Sequence, residues 1–324
     1  MARIIISVSS LLLLHATLLA SEAGGLSFLN IPTSALSASL GSTTTADLGR
    51  PSALIQNPAN IWQFKRFAIS FSDRSLLGGI QGIKYHNVFF GFRVKQLALG
   101  LGCLYYSVDN IEQYDDQAVY LGNFSFQNVA IPFGFSLKTS GLLWGVGFSY
   151  ITQNFSNIGY TKETFFAGDI GVTATDLLPK SNRYDLTVSY VNKMLFSKTP
   201  KVALVNSASS NSILGFKGLL RNNIFSTALF LDLLVNPSIN IRNMRLAGQL
   251  QAKYGETKVG INAGVNSLPL YQAAEVTYGD LSKYSMKKSF GFYFDLKQRV
   301  VINFAYEWHP ILENNQYISM QLSF

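Results

Sequence analysis

The chain has 324 residues, of which 48% are hydrophobic and only 14% are charged, and its formal net charge is +8. Its single cysteine, Cys103, excludes an internal disulfide framework. The Lys and Arg residues are scattered, with no run longer than two. This scatter argues against a concentrated nucleic-acid-binding patch and predicts contact with anionic lipid head groups or an anionic solute.

Residues 1–23 have the organisation of a secretory signal peptide. Arg3 supplies a positive end, an apolar run extends from Ile4 to Ala20, and small residues precede Gly24. A transmembrane helix is the alternative, but no basic stop follows the apolar run. We therefore predict that residues 1–23 are cleaved and that the mature chain is exported.

The last residues alternate strictly between two kinds of side chain. Ile318, Met320, Leu322 and Phe324 are apolar, and the residues between them are Ser, Gln and Ser. A period of two gives a strand one apolar face and one polar face. A strand that ends on an aromatic residue resembles the closing strand of bacterial outer-membrane barrels. This resemblance implies that the four apolar residues form a barrel-insertion signal.

The same alternation recurs from Phe67 onward and predicts an all-β chain. About fourteen segments show it, near residues 67–72, 85–95, 97–107, 124–138, 141–155, 165–176, 184–192, 211–220, 225–235, 245–254, 257–266, 289–297, 299–308 and 317–324. Their connections are alternately short and long, which predicts a transmembrane antiparallel β-barrel over residues 66–324. The longest outer loops are predicted near 108–123, 193–210 and 267–288. Many strands of about nine to twelve residues disfavour the alternative, a soluble sandwich or propeller.

Residues 24–65 differ from the rest of the chain in composition. They are rich in Ser, Thr and Ala, contain Pro32, Pro51 and Pro58, and still carry many apolar side chains. Because such a segment needs a surface to bury against, we predict an N-terminal plug in the barrel lumen. An arrangement across the periplasmic mouth is the alternative. Glycines at inward positions would let the plug backbone approach the wall, namely Gly145, Gly147, Gly260 and Gly264.

Four stretches resemble the PorV/PorQ-like outer-membrane proteins, which belong with the long-chain fatty acid transporter (FadL-like) barrels. They are Gly25–Ala35, Ala38–Gly41, Gln56–Asn60 and Phe165–Gly171. The resemblance implies a barrel with an N-terminal hatch in which Asn57, Pro58, Ala59 and Asn60 gate passage. It also implies passive transport of hydrophobic, fatty-acid-like molecules, with a lateral exit at a strand kink. Other members act in type IX secretion, which implies an alternative role in a cell-surface protein assembly.

Eight charged residues take inward positions in the predicted strands. They are Asp169, Asp185, Lys217, Arg245, Lys253, Lys258, Asp295 and Glu307. We expect these side chains to pair with one another and with the plug, because an unpaired charge is costly to bury. Lining a solute path is the alternative.

Catalytic, cofactor and metal sites have little support in this sequence. After the signal peptide the histidines are His86 and His309, and no Ser-His-acid signature surrounds them. One cysteine and two histidines give no metal-binding spacing, and the glycine pairs lie inside strands rather than in a nucleotide-binding pattern. We therefore predict a protein that is not an enzyme and has no cofactor.

Three functions remain open at this point. They are a channel for hydrophobic solutes, a protein-interaction barrel that uses its outer loops, and a catalytic barrel, which the residues disfavour. The predicted partners are outer-membrane lipid, together with a hydrophobic small molecule or secretion-system proteins, and not nucleic acid. The predicted location is the bacterial outer membrane.

Overall fold

A computed structural model describes residues 27–47, 49–64, 66–76, 82–156, 162–175, 177–178, 183–196, 211–235, 241–267, 286–297, 299–308 and 314–324. The predicted signal peptide, His309 and most of the predicted outer loops at 193–210 and 267–288 lie outside these ranges. No helix within them is long and apolar enough to cross a membrane.

Fourteen antiparallel strands close into one barrel, because each strand pairs with its neighbours in sequence and β1 also pairs with β14. The strands are β1 Phe67–Leu76, β2 Ile83–Val94, β3 Leu97–Tyr114, β4 Tyr120–Thr139, β5 Leu142–Ser156, β6 Glu163–Ala174, β7 Tyr184–Phe196, β8 Asn211–Arg221, β9 Phe225–Val235, β10 Ile241–Tyr254, β11 Thr257–Ser267, β12 Met286–Leu296, β13 Val300–Trp308 and β14 Asn315–Ser323.

The side chains of each strand alternate between the lumen and the outer surface. On β13 and β14, Phe304 lies opposite Ile318, and these two outward side chains are 37% and 55% exposed. The next residue, Ser319, points inward and is only 5% exposed. The predicted all-β transmembrane barrel of about fourteen strands is therefore confirmed.

The short connections have the backbone that tight hairpins require. At the β4–β5 turn, Ser140 and Gly141 both have positive φ, 40° and 91°. Two successive residues with positive φ match the twist of the flanking strands. The β2–β3 turn similarly uses Lys95 with a φ of 51°.

The prediction of an outer loop at 108–123 is wrong for most of its length. β3 continues to Tyr114 and β4 begins at Tyr120, so only residues 115–119 form the turn. β2 pairs with β3 only as far as Val108, and residues 109–124 form a two-stranded extension, the β3–β4 ribbon. Because both faces of such a ribbon meet water, it lacks the alternation that marks a barrel strand.

Residues 27–64, here named the inner segment, contain short helices rather than strands. 3-10 helices span Ser27–Asn30, Pro51–Ile55 and Pro58–Gln63, and one α-helix, α1, spans Ala35–Ser39. The Ser34 side chain caps α1 by accepting a hydrogen bond from the Ser37 amide at 3.1 Å.

The inner segment lies within the ring of strands. Helix α1 contacts β11–β14, whereas helix Pro58–Gln63 contacts β3–β6 on the other side of the barrel. A segment that touches opposite sides of a closed barrel occupies its lumen. Trp62 lies against the Arg93 guanidinium and the Lys138 ammonium, 4.9 and 4.5 Å from its ring centroid. These cation–π contacts hold the end of the segment near the short turns.

Candidate functional site

The lumen has an apolar side and a polar side. Leu54 and Ile61 of the inner segment join Phe89 on β2 in a buried apolar cluster that covers the inner face of β1–β6. Inward positions from β9 to β11 carry more buried polar side chains, namely Asp232, Asn243, Gln249, Asn262 and Asn266, beside a smaller apolar cluster that contains Ala228, Phe230 and Ala247. The polar side offers hydrogen-bonding groups, so the candidate site lies between it and the inner segment.

Asn57 and Asn60 hold the inner segment to the wall at β6. Asn57 Nδ2 donates to the Thr45 carbonyl at 3.1 Å and to Thr173 Oγ1 at 3.2 Å. Asn60 Nδ2 donates to the same Thr45 carbonyl at 2.7 Å, and the Thr173 hydroxyl donates to Asn60 Oδ1 at 2.6 Å. The Asn57 side chain also accepts from the Ala59 amide at 3.1 Å, which caps the helix that begins at Pro58.

Thr45 extends this network to β9. Its amide and its hydroxyl both donate to Asp232 Oδ2, at 3.1 and 2.8 Å. A continuous chain of hydrogen bonds therefore runs from Thr173 on β6, through the two asparagines and Thr45, to Asp232. This chain bridges the inner faces of β6 and β9, which are three strands apart in the ring, and has the inner segment at its centre.

Glycines in the wall let the backbone of the inner segment make contact. A Cβ at Gly145 would lie 2.1 Å from the Ala59 nitrogen, and one at Gly264 would lie 2.4 Å from the Gly41 nitrogen. Gly147 has more room, because an added Cβ there would lie 3.5 Å from Pro58 Cβ, an ordinary van der Waals contact. Gly260 has a different neighbour, because Tyr293 Cε1 from the adjacent strand would lie 2.2 Å away.

Two cations line a small cavity beside the inner segment. Lys193 Nζ donates to the Ile55 carbonyl at 2.6 Å, and Arg245 Nη1 donates to the Ser42 carbonyl at 3.1 Å. The cavity that they share with Ser37 and Gln56 has a volume of about 50 Å³. It has room for a few water molecules, far below the roughly 300–1,000 Å³ of small-molecule sites.

The eight charges with predicted inward positions divide into those that contact the inner segment and those that do not. Lys217 pairs with Asp47 at 3.2 Å, and Arg245 reaches Ser42. The other ion pairs join charges on the wall, namely Lys258 with Asp295 at 3.6 Å, Lys287 with Glu307 at 3.0 Å and Arg221 with Asp185 at 3.4 Å. Asp169 lies opposite Lys193 on β7. Lys253 is exposed at the end of β10.

The residues of the predicted insertion signal lie where β14 closes the barrel. Ile318, Met320 and Leu322 face outward, and the Phe324 amide donates to the Phe67 carbonyl at 2.8 Å. The Phe324 ring is 69% exposed. Their role in insertion stays a prediction.

Sequence reasoning did not single out three charged residues that line the lumen. Lys193 lies just beyond the predicted strand end at residue 192. It nevertheless continues the inward series of Asp185, Thr187 and Ser189 on β7. Asp232 is the single acid in the apolar run 225–235, and an acid there is itself a signal for an inward position. Asp47 lies in the inner segment, where no periodicity indicates burial. Within the described residues, no group of three or more His, Cys, Asp or Glu could hold a metal ion.

Comparisons with known proteins show what this fold is similar to. No protein-family model and no curated protein matches the sequence. The toluene transporter TodX of Pseudomonas putida is 13% identical, with a TM-score of 0.57 over 94% of this chain and 100% of that chain. The toluene transporter TbuX of Ralstonia pickettii is 13% identical, with a TM-score of 0.56 over 90% of this chain and 98% of that chain. A FadL homologue of Pseudomonas aeruginosa is 10% identical, with a TM-score of 0.54 over 94% and 99%. At these identities the similarity establishes a shared barrel fold.

Proposed function

We propose that the protein is a bacterial outer-membrane channel for the passive passage of hydrophobic small molecules, with the inner segment as its hatch. The apolar outer surface and the fold shared with toluene transporters and a FadL homologue support the proposal. The observation that carries it is the attachment of the inner segment to the wall by side-chain hydrogen bonds, which a displaceable hatch requires. A cavity of about 50 Å³ lies beside the segment.

Opening requires these hydrogen bonds to break. The Asn57 and Asn60 amides and the Thr45–Asp232 contact join the segment to the inner faces of β6 and β9. A solute that displaces the segment there would enter a path lined by polar and charged groups on one side. Exchange of hydrogen bonds with such a solute or with water keeps the net free energy of opening small, since one typical bond contributes about 0.5–1.5 kcal/mol.

The two cations at the cavity favour an amphipathic solute with an acidic head group, in line with the prediction that the transported molecules are fatty-acid-like. Lys193 and Arg245 both line the cavity, and buried Arg245 Nε has no hydrogen-bond partner among the described residues. A carboxylate would accept a charge-assisted hydrogen bond from Arg245 Nε. A neutral hydrocarbon has no acceptor for this bond.

The ladder between β3 and β4 supports a lateral exit on the opposite side of the lumen. In this ladder the residue pair Leu101–Phe133 is followed directly by the pair Leu104–Ala130, so two consecutive pairs are missing between them. Between these pairs lies Pro132, which has no backbone N–H to donate. We place the exit at this interruption, because separating the wall there breaks fewer hydrogen bonds than elsewhere.

Uptake by whole cells tests the proposal. A bacterial host that lacks its own long-chain fatty acid channel is given radiolabelled oleate, with and without this protein in its outer membrane. We expect uptake to rise with the wild-type chain, and to rise further or lose saturation with Asn57→Ala, which frees the hatch. The wild-type and variant proteins are compared at matched surface levels. Equal uptake by cells with and without the wild-type protein would contradict a channel for fatty-acid-like molecules.

The alternative is a PorV/PorQ-like role in type IX secretion or another cell-surface assembly, and the β3–β4 ribbon favours it. Tyr114, Val119 and Tyr120 on this ribbon are 53%, 53% and 54% exposed, and large exposed apolar side chains often mark protein contacts. Replacing residues 110–121 by a tight turn separates the two functions. Under the channel proposal the protein raises oleate uptake with or without the ribbon and cargo release is unaffected, whereas a secretion role predicts that loss of the ribbon stops release of cargo protein.

A further inference from the structure

An ionisable pair lies on the outer surface of the barrel, away from the lumen. The Asp73 carboxylate on β1 contacts His86 Nδ1 on β2 at 2.5 Å. The His86 ring stacks on that of Tyr105 on β3, with centroids 6.4 Å and planes 10° apart. These three residues lie directly opposite one another in the two ladders. They share the outward face with Phe71 and Val88, and the His86 and Asp73 side chains are 52% and 44% exposed.

The pair lies toward the outer margin of the membrane-facing belt. Asp73 is six residues from Phe67 at the start of β1, and His86 is eight residues from Val94 at the end of β2. A rise of about 3.3 Å per residue and a tilt of about 40° place both side chains roughly 15–20 Å above the short turns, in a belt about 25 Å tall. Because a polar group in hydrocarbon is costly without a partner, the pair fits a depth at which lipid head groups can reach it.

A groove on the same outer wall begins at this pair. It has a volume of about 710 Å³. Its apolar lining comprises Phe71, Val88, Cys103, Ile302, Ile318 and Met320. Phe71, Val88 and Cys103 each lie two residues nearer to the short turns than Asp73, His86 and Tyr105, so the groove has a polar outer end and an apolar remainder. This polarity is that of an amphiphile with its head outward and its chain directed into the membrane.

We propose that this groove binds a lipid of the surrounding membrane that carries a phosphoethanolamine head group. An acyl chain lies along Phe71, Val88 and Met320, and the ammonium contacts the Asp73 carboxylate. The site is separate from the lumen, so it does not depend on the proposed transport.

The head group follows from the chemistry of the pair. A carboxylate attracts an ammonium but repels a phosphate. The imidazole bonds the carboxylate through Nδ1, which leaves Nε2 for a second partner, the ammonium when the ring is neutral or the phosphate when it is protonated. A zwitterionic head group is therefore matched in either state. Phosphatidylglycerol has no amine to contact the Asp73 carboxylate, so its phosphate gains at most the His86 contact and meets the repulsion from Asp73 in both states of the ring.

Lipid competition tests the site. Purified protein in detergent is incubated with equal amounts of phosphatidylethanolamine and phosphatidylglycerol that have identical acyl chains, and the lipids retained are counted by native mass spectrometry. Asp73→Asn and His86→Gln alter the pair without a large change in volume. Val88→Trp fills the groove, and Ile261→Trp is the matched control, since Ile261 is an outward residue of β11 with 52% exposure. Heat-dependent gel mobility verifies that each barrel is folded.

We expect the wild-type chain to retain phosphatidylethanolamine over phosphatidylglycerol by about fivefold, or about 1 kcal/mol. Asp73→Asn and His86→Gln lower this ratio toward one, Val88→Trp lowers the retention of both lipids, and Ile261→Trp behaves as wild type. Equal retention of the two lipids by the wild-type chain would overturn the proposal. So would a preference that survives Asp73→Asn, or retention that Val88→Trp leaves unchanged.

Discussion

Thr45 and Asp232 form a double hydrogen bond that joins the inner segment to the barrel wall. The Thr45 amide and hydroxyl both donate to one carboxylate oxygen, and Asp232 is only 1% exposed. Hydrogen bonds to charged groups contribute about 1.5–3 kcal/mol. This contact therefore anchors the segment on the side of the lumen that also carries Arg245.

Asp232→Ala should loosen the inner segment without opening the ring of strands. We expect the free energy of unfolding to fall by about 3 kcal/mol, because two buried donors of Thr45 lose their acceptor. The baseline conductance in planar bilayers should rise as the segment moves. Asp295→Ala is the control, since Asp295 pairs with Lys258 on the wall, and it should leave the conductance unchanged. If the baseline conductance of Asp232→Ala equalled that of the wild-type chain, the Thr45–Asp232 contact would not be what holds the inner segment in place.

Gly145→Ala should destabilise the packed lumen. The added Cβ would lie 2.1 Å from the Ala59 nitrogen and 2.3 Å from the Pro58 carbonyl carbon, and both are backbone atoms. We expect a loss of about 1–3 kcal/mol, typical of overpacking, measured by denaturant unfolding in detergent. Gly218→Ala is matched to it, because a Cβ at Gly218 meets nothing within 4 Å. Equal stability of the two variants would show that the contact at Ala59 is not tight.

Lys193→Gln should separate acidic from neutral solutes. Glutamine keeps a donor for the Ile55 carbonyl but removes the positive charge from the cavity. A charge-assisted bond that contributes about 1.4 kcal/mol predicts about tenfold weaker oleate uptake at subsaturating concentration. Toluene uptake should stay unchanged. Equal losses for oleate and toluene would indicate a purely structural role for Lys193.

Ile131→Cys should lock the proposed lateral exit. The register of the flanking pairs Leu101–Phe133 and Leu104–Ala130 places Ile131 opposite the native Cys103, within the interruption, and opposed residues on neighbouring strands lie near disulfide distance. We expect oxidation to join the two cysteines and stop oleate uptake, and a reductant to restore it. Ile131→Ser, which has no thiol, controls for the substitution. Uptake that continues through the oxidised barrel would place the exit elsewhere.

The period-two pattern predicts the barrel well because the membrane acts on every strand alike. Outward side chains such as Phe304 and Ile318 meet lipid, and their inward neighbours do not. The pattern does not predict the strands at Tyr114 and Tyr120, because the β3–β4 ribbon extends beyond the barrel wall there and both of its faces contact water. Sequence periodicity also cannot say what an inward residue touches. Gly145 and Gly260 both face the lumen, yet one contacts the inner segment and the other a tyrosine ring.

The site is predicted less completely than the fold because it depends on contacts between residues distant in sequence. Asn57 and Asn60 stand out through their motif, but their partners Thr45 and Thr173 do not. Asp232 had a local signal, a lone acid in an apolar strand. Its contact with Thr45 bridges 187 positions, and no local pattern reports such a distance.

The conductance of single channels tests the central claim most directly. A barrel of this strand number is wide enough to leave an aqueous path when it is unplugged. We predict that the wild-type chain gives little or no ionic conductance in a planar bilayer, and that a variant without residues 27–64 gives large, stable conductance steps with the same heat-dependent gel mobility. Equal conductance of the two proteins would contradict a lumen that is closed by its N-terminal segment.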